Sequence, residues 1–363
     1  MNHRLKIDPD IRRAHTPSAE FYRSREIYER QIDAIFARSW QLMPPDVLAL
    51  GRHEAAPWTL LEDSLSEPLL VTRGEGEEIK VLSNVCTHRG HPVAMQRCSS
   101  RRLRCRYHGR TFSQTGSLLK CPGFEEAEDF PRKEDDLPEV RHETWGPLHF
   151  VRLDGGGSLA EHLQPVTERM GWWPLSDLQE DQAARRSYRV ASHWALYCEN
   201  YLEGFHIPYV HHALNKTLEF GDYRTELFDH CSLQIGIAAP GEVVFDLPAE
   251  SADHGKKVGA YYFFVFPNTM LNFYPWGLSL NVVRPTGPES TVVEYTAFVL
   301  DPSSRASGLG ADLHLVEMED EEVVEAVQVG MNSRLYQRGR YSPTHESAVH
   351  HFHRFLARTL AME

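Results

Sequence analysis

Two short segments of the chain each join a thiol to an imidazole: Cys86-Thr87-His88 and Cys105-Arg106-Tyr107-His108. Sixteen residues separate them. A classical zinc finger pairs cysteine with cysteine and histidine with histidine. Here each pair is mixed, and two thiolates with two imidazoles are the donor set of a Rieske [2Fe–2S] cluster, cysteines on one iron and histidines on the other. Because imidazole is neutral where thiolate is anionic, such a cluster has a higher potential than an all-cysteine ferredoxin. Gly90 and Gly109 follow the histidines, where loop backbone must approach the cluster closely. Cys98, Cys121, Cys198 and Cys231 lie outside both pairs and read as buried thiols.

A second dense segment runs Glu199-Asn200-Tyr201-Leu202-Glu203-Gly204-Phe205-His206-Ile207-Pro208-Tyr209-Val210-His211. On a regular helix His206 and His211 would point about 140° apart, too far for one metal. Pro208 lies between them and cannot sit in an unbroken helix, so a kinked or widened turn could bring both rings to one ion. Glu203 precedes His206 by three residues and shares its face. A carboxylate would complete the facial triad of a non-haem Fe(II) oxygenase. The candidates are Glu317, Glu319, Asp320, Glu321 and Glu322. Val316, Val323, Val324, Val327 and Met331 form an apolar stripe at helical spacing, with Asp320 at its centre, Glu319 on its margin, and Glu321 and Glu322 pointing away. A carboxylate aimed into a core is costly unless paired or metal-bound, which selects Asp320. The competing reading of His206 and His211 is a hydrogen-bonded core pair; a Rieske signature in the same chain favours iron. His212 is a neighbour rather than a ligand.

The elements that must position these groups fall into two classes. Residues 18–40 carry Phe21, Ile27, Ile32, Ile35 and Phe36 at roughly helical spacing and predict one amphipathic helix. From about 45 to 152, short β-branched runs such as EPLLVTR, EIKVLSNV and PLHFVRL alternate with turns, which predicts a small all-β domain. DGGGS at 154–158 reads as a linker. Beyond it, several strand patterns precede a helix over about 313–337 and a basic, histidine-rich closing helix, which predicts an α+β domain. The expected division is an N-terminal helical arm (1–44) packing on the catalytic domain, a Rieske domain (45–153) and a catalytic domain (154–363).

With 363 residues the chain is long enough for two cores. A formal net charge of −13 argues against a general nucleic-acid binder. There is no apolar run long enough for a membrane span. MNHRLKIDPDIRRAH lacks the apolar stretch of a secretory signal, so the expected location is the cytoplasm.

The motifs CTHRGH, CRYHG and ENYLEGFHIPYVH, with the segment EDEEVVEAVQVGMNSRLYQRGRYSPTHESAVHHFHRFL, resemble the large (α) subunits of Rieske non-haem iron oxygenases over nearly the whole chain. The resemblance implies a Rieske domain followed by a helix-grip (START-like) antiparallel-sheet catalytic domain. It implies a homotrimer in which one chain's cluster lies near the next chain's mononuclear iron. A bridging acid would link the two, by position Glu203, facing His108 of a neighbour, and Asn200 would sit near the iron without binding it. Glu203 stands where the commoner aromatic-ring dioxygenases have Asp. That Glu, FPNTMLNFYPWGLSLNVVRP and SRLYQRGRYSPTHE look like the branch acting on choline, glycine betaine, carnitine and stachydrine.

The run AYYFFVFPNTMLNFYPW is rich in rings. Strand alternation would send about half of them outward. Tyr274 and Trp276 are the expected pocket residues, where aromatic faces would hold a quaternary ammonium by cation–π contact. Neither a G-x-G-x-x-G fingerprint nor a plant-type Cys₄ spacing occurs, so electrons from NAD(P)H should arrive through a separate reductase or ferredoxin. Arg89, Arg97, Arg101, Arg102, Arg104, Arg106 and Arg110 crowd the cluster loops and are expected to form a face for that partner. The predicted activity is hydroxylation or N-demethylation of a small molecule with O2. The alternatives are an oxygenase acting on an aromatic substrate and, less favoured, a Rieske electron carrier without catalysis.

Overall fold

Short strands bounded by turns dominate the segment that carries both Cys/His pairs. The computed structural model, which describes residues 5–76, 78–212, 214–216, 223–300 and 313–361, groups that segment as one unit, Ala37–Leu159. Its largest sheet is antiparallel in the order Ile79–Ser83, Glu67–Arg73, Glu54–Leu60, Cys98–Ser99. Two three-stranded sheets flank it in sequence. One is built on Arg102–Arg104, Thr111–Ser113 and Leu118–Lys120, the other on Gln41–Leu42, Leu148–Arg152 and Arg141–Trp145. The apolar runs that predict strands become core: Leu70, Leu82, Leu103 and Phe112 cluster with Cys86 and Cys105. Residues 37–44, expected in the N-terminal arm, fall in this unit because Gln41 and Leu42 pair with Val151 and Phe150. DGGGS also stays with it, since Arg141 donates to the Gly156 carbonyl and Leu159 N–H to Glu143.

The other unit comprises Met1–Phe36 and Ala160–Glu363. Its seven-stranded antiparallel sheet runs Gln179–Val190, Ser290–Val299, Gly277–Gly287, Thr269–Tyr274, Val258–Val265, Cys231–Ile237, Arg224–Leu227. Helix Trp194–Tyr201 touches strand Gly277–Gly287, and helix Leu313–Met331 packs on helix Trp194–Tyr201. Helix Ser347–Thr359 lies on strand Arg224–Leu227.

Three expectations are corrected here. The single helix over 18–40 is two, Ala19–Arg23 and Arg25–Ala34, because Ser24 is extended and its hydroxyl caps the second through Ile27 N–H. Phe21, Ile27, Ile32, Ile35 and Phe36 are nonetheless all buried. The ring-rich strands do not alternate: Tyr261, Phe263, Phe264, Phe266 and Phe273 are all sealed, so both sheet faces are covered there. The long helix stops at Met331, and its inner face is not the predicted valine stripe. Val327 is exposed while Glu317, Val324, Gln328 and Met331 are buried. Polar contacts turn the helix: Gln328 Oε1 accepts from His193 N–H and Glu325 Oε1 from Ala191 N–H.

Phe352 is fully buried and packs its ring against Trp194, Phe264 and Phe266. Phe352→Ala is expected to cost about 3–5 kcal/mol through the lost burial and the cavity left. A urea titration followed by tryptophan fluorescence should show the lowered midpoint.

Candidate metal centres

The two cluster loops share one backbone plan. Cys86 N–H donates to the His91 carbonyl at 3.0 Å and Cys105 N–H to the Arg110 carbonyl at 2.9 Å. Gly90 N–H returns to the Cys86 carbonyl at 3.0 Å and Gly109 N–H to the Cys105 carbonyl at 3.1 Å. Both glycines have left-handed backbone, φ +72° and +78°, where a side chain would be strained. The loops place Cys86 and Cys105 in the core and bring the His88 and His108 rings to 4.6 Å. His88 Nδ1 is buried without a hydrogen-bond partner, an arrangement that suits a metal ligand. Burial, then the neighbouring His108, Arg110 and Arg89, hold the His88 imidazole below its ordinary range and so neutral. Two thiols and two imidazoles, with an orphaned ring nitrogen, fit a Rieske cluster. His108 is exposed, with the Tyr107 ring against it at 3.7 Å.

The remaining sulfur and arginine expectations divide. Cys198 and Cys231 are buried thiols, and burial pushes Cys231 up to about 12. Cys98 and Cys121 are only partly covered: Cys98 opens the short edge strand Cys98–Ser99, and Cys121 follows the strand Leu118–Lys120. Arg89, Arg101, Arg102, Arg104 and Arg106 are exposed. Arg97 is exposed but bound to the carbonyls of Asp46 and Ala49. Arg110 does not belong to the face: it is 3% exposed and turned inward onto aromatic rings.

The second centre depends on how helix Trp194–Tyr201 starts and stops. His193 is its N-cap, with Nδ1 accepting from Ala195 N–H at 3.2 Å. Complete burial lowers the His193 imidazole to about 3, which leaves that nitrogen free of a proton and able to accept. The helix ends at Tyr201 with Leu202 as its C-cap, and a one-turn helix, Ile207–Val210, follows with Pro208 in its first turn. His206 and His211 flank that turn as its two caps, which brings their rings to 5.0 Å. Helix Leu313–Met331 supplies Asp320, whose Oδ1 lies 3.0 Å from His211 Nε2 and 3.5 Å from His206 Nε2. One ligand atom from each of the three falls within 4.8 Å of the others. Asn200 Nδ2 donates to the same Asp320 oxygen.

The far side of each ring is also held. His206 Nδ1 is 2.7 Å from Glu203 Oε1, and Glu203 Oε2 accepts from His206 N–H at 3.0 Å. His211 Nδ1 is 2.7 Å from Glu319 Oε2. Burial alone would lower the His211 imidazole, but Asp320 and Glu319 raise it. Carboxylates on both Nδ1 atoms direct both Nε2 atoms to one point, the arrangement that orients histidines toward a metal. Two imidazoles and one carboxylate suit iron with positions left open for substrates. Sequence reasoning set Glu319 on the helix margin; its role appears only once His211 is placed. It counted Glu317 among the candidate ligands without assigning it a face; Glu317 is buried against the Tyr197 hydroxyl and driven toward its protonated form by burial and by Asp320. Glu321 is half-covered rather than turned away, and burial with Glu325 and Asp320 raises it to about 7. Glu322 and His212 are exposed.

Tyr274 and Trp276 are buried and stacked, centroids 5.2 Å apart with planes 7° from parallel. They cluster with Ile207, the residue that follows His206. Tyr262 meets Tyr274 edge-on at 5.9 Å, and burial lifts its phenol to about 12, so that ring stays neutral.

A Rieske site in an all-β unit and a two-histidine, one-carboxylate site on a helix-covered antiparallel sheet define a Rieske non-haem iron oxygenase. Comparison with known proteins agrees. The ring hydroxylating alpha subunit (catalytic domain) profile matches residues 179–362, and the Rieske [2Fe-2S] domain profile matches residues 55–131. The chloroplastic choline monooxygenase of Arabidopsis thaliana is 30% identical, covering 98% of this chain and 86% of that enzyme. The carnitine monooxygenase oxygenase subunit of Escherichia coli K12 is 25% identical, over 95% of this chain and 93% of that subunit. One solved quaternary ammonium Rieske monooxygenase, whose structure bears on carnitine oxidation by gut microbiota and inter-subunit electron transfer, shares the fold. Its TM-score is 0.75 at 23% identity, over 97% of this chain and 96% of that one. The chain therefore belongs to the ring-hydroxylating oxygenase α subunits. It is an oxygenase with a Rieske [2Fe–2S] cluster and a mononuclear iron, and it uses O2. Among the described residues no helix is long and apolar enough to cross a membrane.

Asp320→Ala is expected to reduce iron from three to two per chain with acid-labile sulfide unchanged, read by metal and sulfide analysis. Glu319→Gln, which leaves His211 in place but loosens its orientation, should weaken binding of the third iron by about 10- to 100-fold.

Proposed function

We propose that the chain is the terminal oxygenase of a system that hydroxylates a C–H bond beside the nitrogen of a small quaternary ammonium compound. Cys86, His88, Cys105 and His108 would hold the cluster, and His206, His211 and Asp320 the mononuclear iron. The carrying observation is the stacked Tyr274–Trp276 pair, which shares a buried cluster with Ile207, the residue after His206. A quaternary nitrogen donates no hydrogen bond, so it is recognised by ring faces rather than by a polar partner. Neutral phenol and indole rings supply that surface, and the choline and carnitine specificities of the relatives support the same class.

The overall reaction consumes the substrate C–H bond, O2, two electrons and two protons, and yields the alcohol and water. When bound, the cluster supplies electrons singly and the iron supplies oxygen activation. Glu203 and Glu319 keep the two imidazoles aimed and in one tautomer. Asn200 fixes the Asp320 carboxylate through the oxygen that faces the rings. Tyr274 and Trp276 hold the cationic head so that a neighbouring carbon faces the open positions. Hydroxylation at an N-methyl would continue to loss of formaldehyde; at the chain carbon beside the nitrogen, the carbinol would likewise break its C–N bond and give an aldehyde, the tertiary amine and a proton.

A separate reductase or ferredoxin, fed by NAD(P)H, belongs to this reading, as do a cytoplasmic location and a homotrimer. The exposed His108 suits transfer to a neighbouring chain, where Glu203 already holds His206. Exposed Arg89, Arg101, Arg102, Arg104 and Arg106 form a positive face on a chain of net charge −13, suited to an acidic partner.

Turnover should occur with choline-, betaine- or carnitine-like cations and not with neutral aromatic rings; the reverse result overturns the substrate class. Trp276→Leu is expected to raise KM for the cation by about 2- to 30-fold with a smaller effect on kcat. The rate of cluster reduction by an acidic ferredoxin-type donor should fall as salt rises from low to physiological ionic strength, checked by stopped-flow absorbance. A salt-independent rate would discard the arginine face as the docking surface.

A further inference from the structure

Arg110, unlike the exposed arginines of the cluster loops, is turned into the interior. It is 3% exposed, and burying a guanidinium is costly unless its donors and its faces are satisfied. Nη1 donates to Thr87 Oγ1 at 3.0 Å and lies 3.4 Å from Asp135 Oδ1. Nε donates to Cys121 Sγ at 3.1 Å. The guanidinium carbon sits 5.0 Å from the Phe124 ring centre and 5.2 Å from that of Phe130, so two aromatic faces hold the cation.

The guanidinium reaches the first ligand loop, and the backbone of the same residue closes the second. Thr87 lies between Cys86 and His88, while the Arg110 carbonyl accepts from Cys105 N–H in the other loop. The segment that covers the site is drawn to the same group: Phe124 meets the His88 ring edge-on at 5.2 Å, and Thr87 Oγ1 donates to the Asp135 carbonyl at 2.6 Å. A full positive charge is therefore held beside ligands of both irons. Asp135 offsets it only in part. Its side chain is 22% exposed against 4% for Arg110, and water screens the more exposed partner more strongly.

We propose that Arg110 is a positioning residue for electron transfer, which raises the reduction potential of the Rieske cluster by placing a buried positive charge against Thr87, between Cys86 and His88. Reduction adds one negative charge to the cluster, and a fixed cation in a low-dielectric surround favours that more negative state. The proposal rests on the chain carrying the cluster, which iron and sulfide analysis of each variant checks independently.

The test compares wild-type holoenzyme with Arg110→Met, Arg110→Lys and Asp135→Asn by spectroelectrochemical titration of the cluster, with EPR confirming its type. Arg110→Met removes the charge at similar volume. It is expected to shift the one-electron equilibrium at least tenfold toward the oxidised form, about 59 mV lower. Arg110→Lys keeps the charge and should recover most of that shift, which a purely structural role would not do. Asp135→Asn removes the counter-charge, leaves the ligand loops intact and should move the equilibrium toward the reduced form. An Arg110→Met variant with full cluster and unchanged potential overturns the proposal. If Arg110→Met fails to assemble the cluster, Asp135→Asn decides: an unchanged or lower potential there overturns it equally.

Discussion

The catalytic unit is organised around one carboxylate oxygen. Asp320 Oδ1 faces the Nε2 atoms of both His206 and His211 and also receives Asn200. Glu317 and Glu319 stand on the same turn of the same helix, so three acids share a small, largely covered volume. Like charges so placed repel, and each needs a partner. Glu317 has the Tyr197 hydroxyl, Glu319 the His211 ring and Asp320 two imidazoles. A divalent cation among Asp320 and the two Nε2 atoms would relieve what these partners do not. The helix can carry this set only if it seats against Trp194–Tyr201, and its own polar residues secure that seat. Gln328 and Glu325 accept the backbone N–H groups of His193 and Ala191, at the turn that launches the partner helix.

The two centres are assembled in different ways. Each cluster loop is local: a cysteine, a histidine two or three residues on, and a glycine whose left-handed backbone returns an N–H to the cysteine carbonyl. The plan is used twice, and Arg110 joins the copies. The mononuclear site instead draws its candidate ligands from segments more than a hundred residues apart, and its precision comes from helix packing. Its histidines are held at both ring nitrogens, so neither tautomer nor ring angle is left to solvent.

Much of this is legible along the chain. Mixed Cys/His pairs with following glycines identify the cluster because the ligand spacing is local and chemically restrictive. Pro208 signals that the histidines need not obey helical geometry. Asp320 emerges from the periodicity of its helix even though the predicted valine stripe is imperfect. Val327 faces outward and Gln328 inward, yet the centre of the inner face is unmoved, because Glu317, Val324 and Met331 still bracket Asp320. The break at Ser24 escapes periodicity, since a single capping residue leaves the apolar spacing on either side intact.

The sequence by itself offered the Cys/His donor set and two units through local spacing, Asp320 through helical periodicity, and the family through the resemblance of whole motifs. Local stereochemistry and ligand chemistry suffice for the first of these. Only the tertiary structure decided that Glu319 orients His211, that Glu317 is a buried acid and that Arg110 leaves the basic face for the interior. It also decided that Tyr274 and Trp276 stack beside Ile207 with both sheet faces sealed. The reason is common to all four. Whether a polar or aromatic side chain meets solvent, a ring or another charge depends on what packs against its element, and that partner comes from elsewhere in the chain.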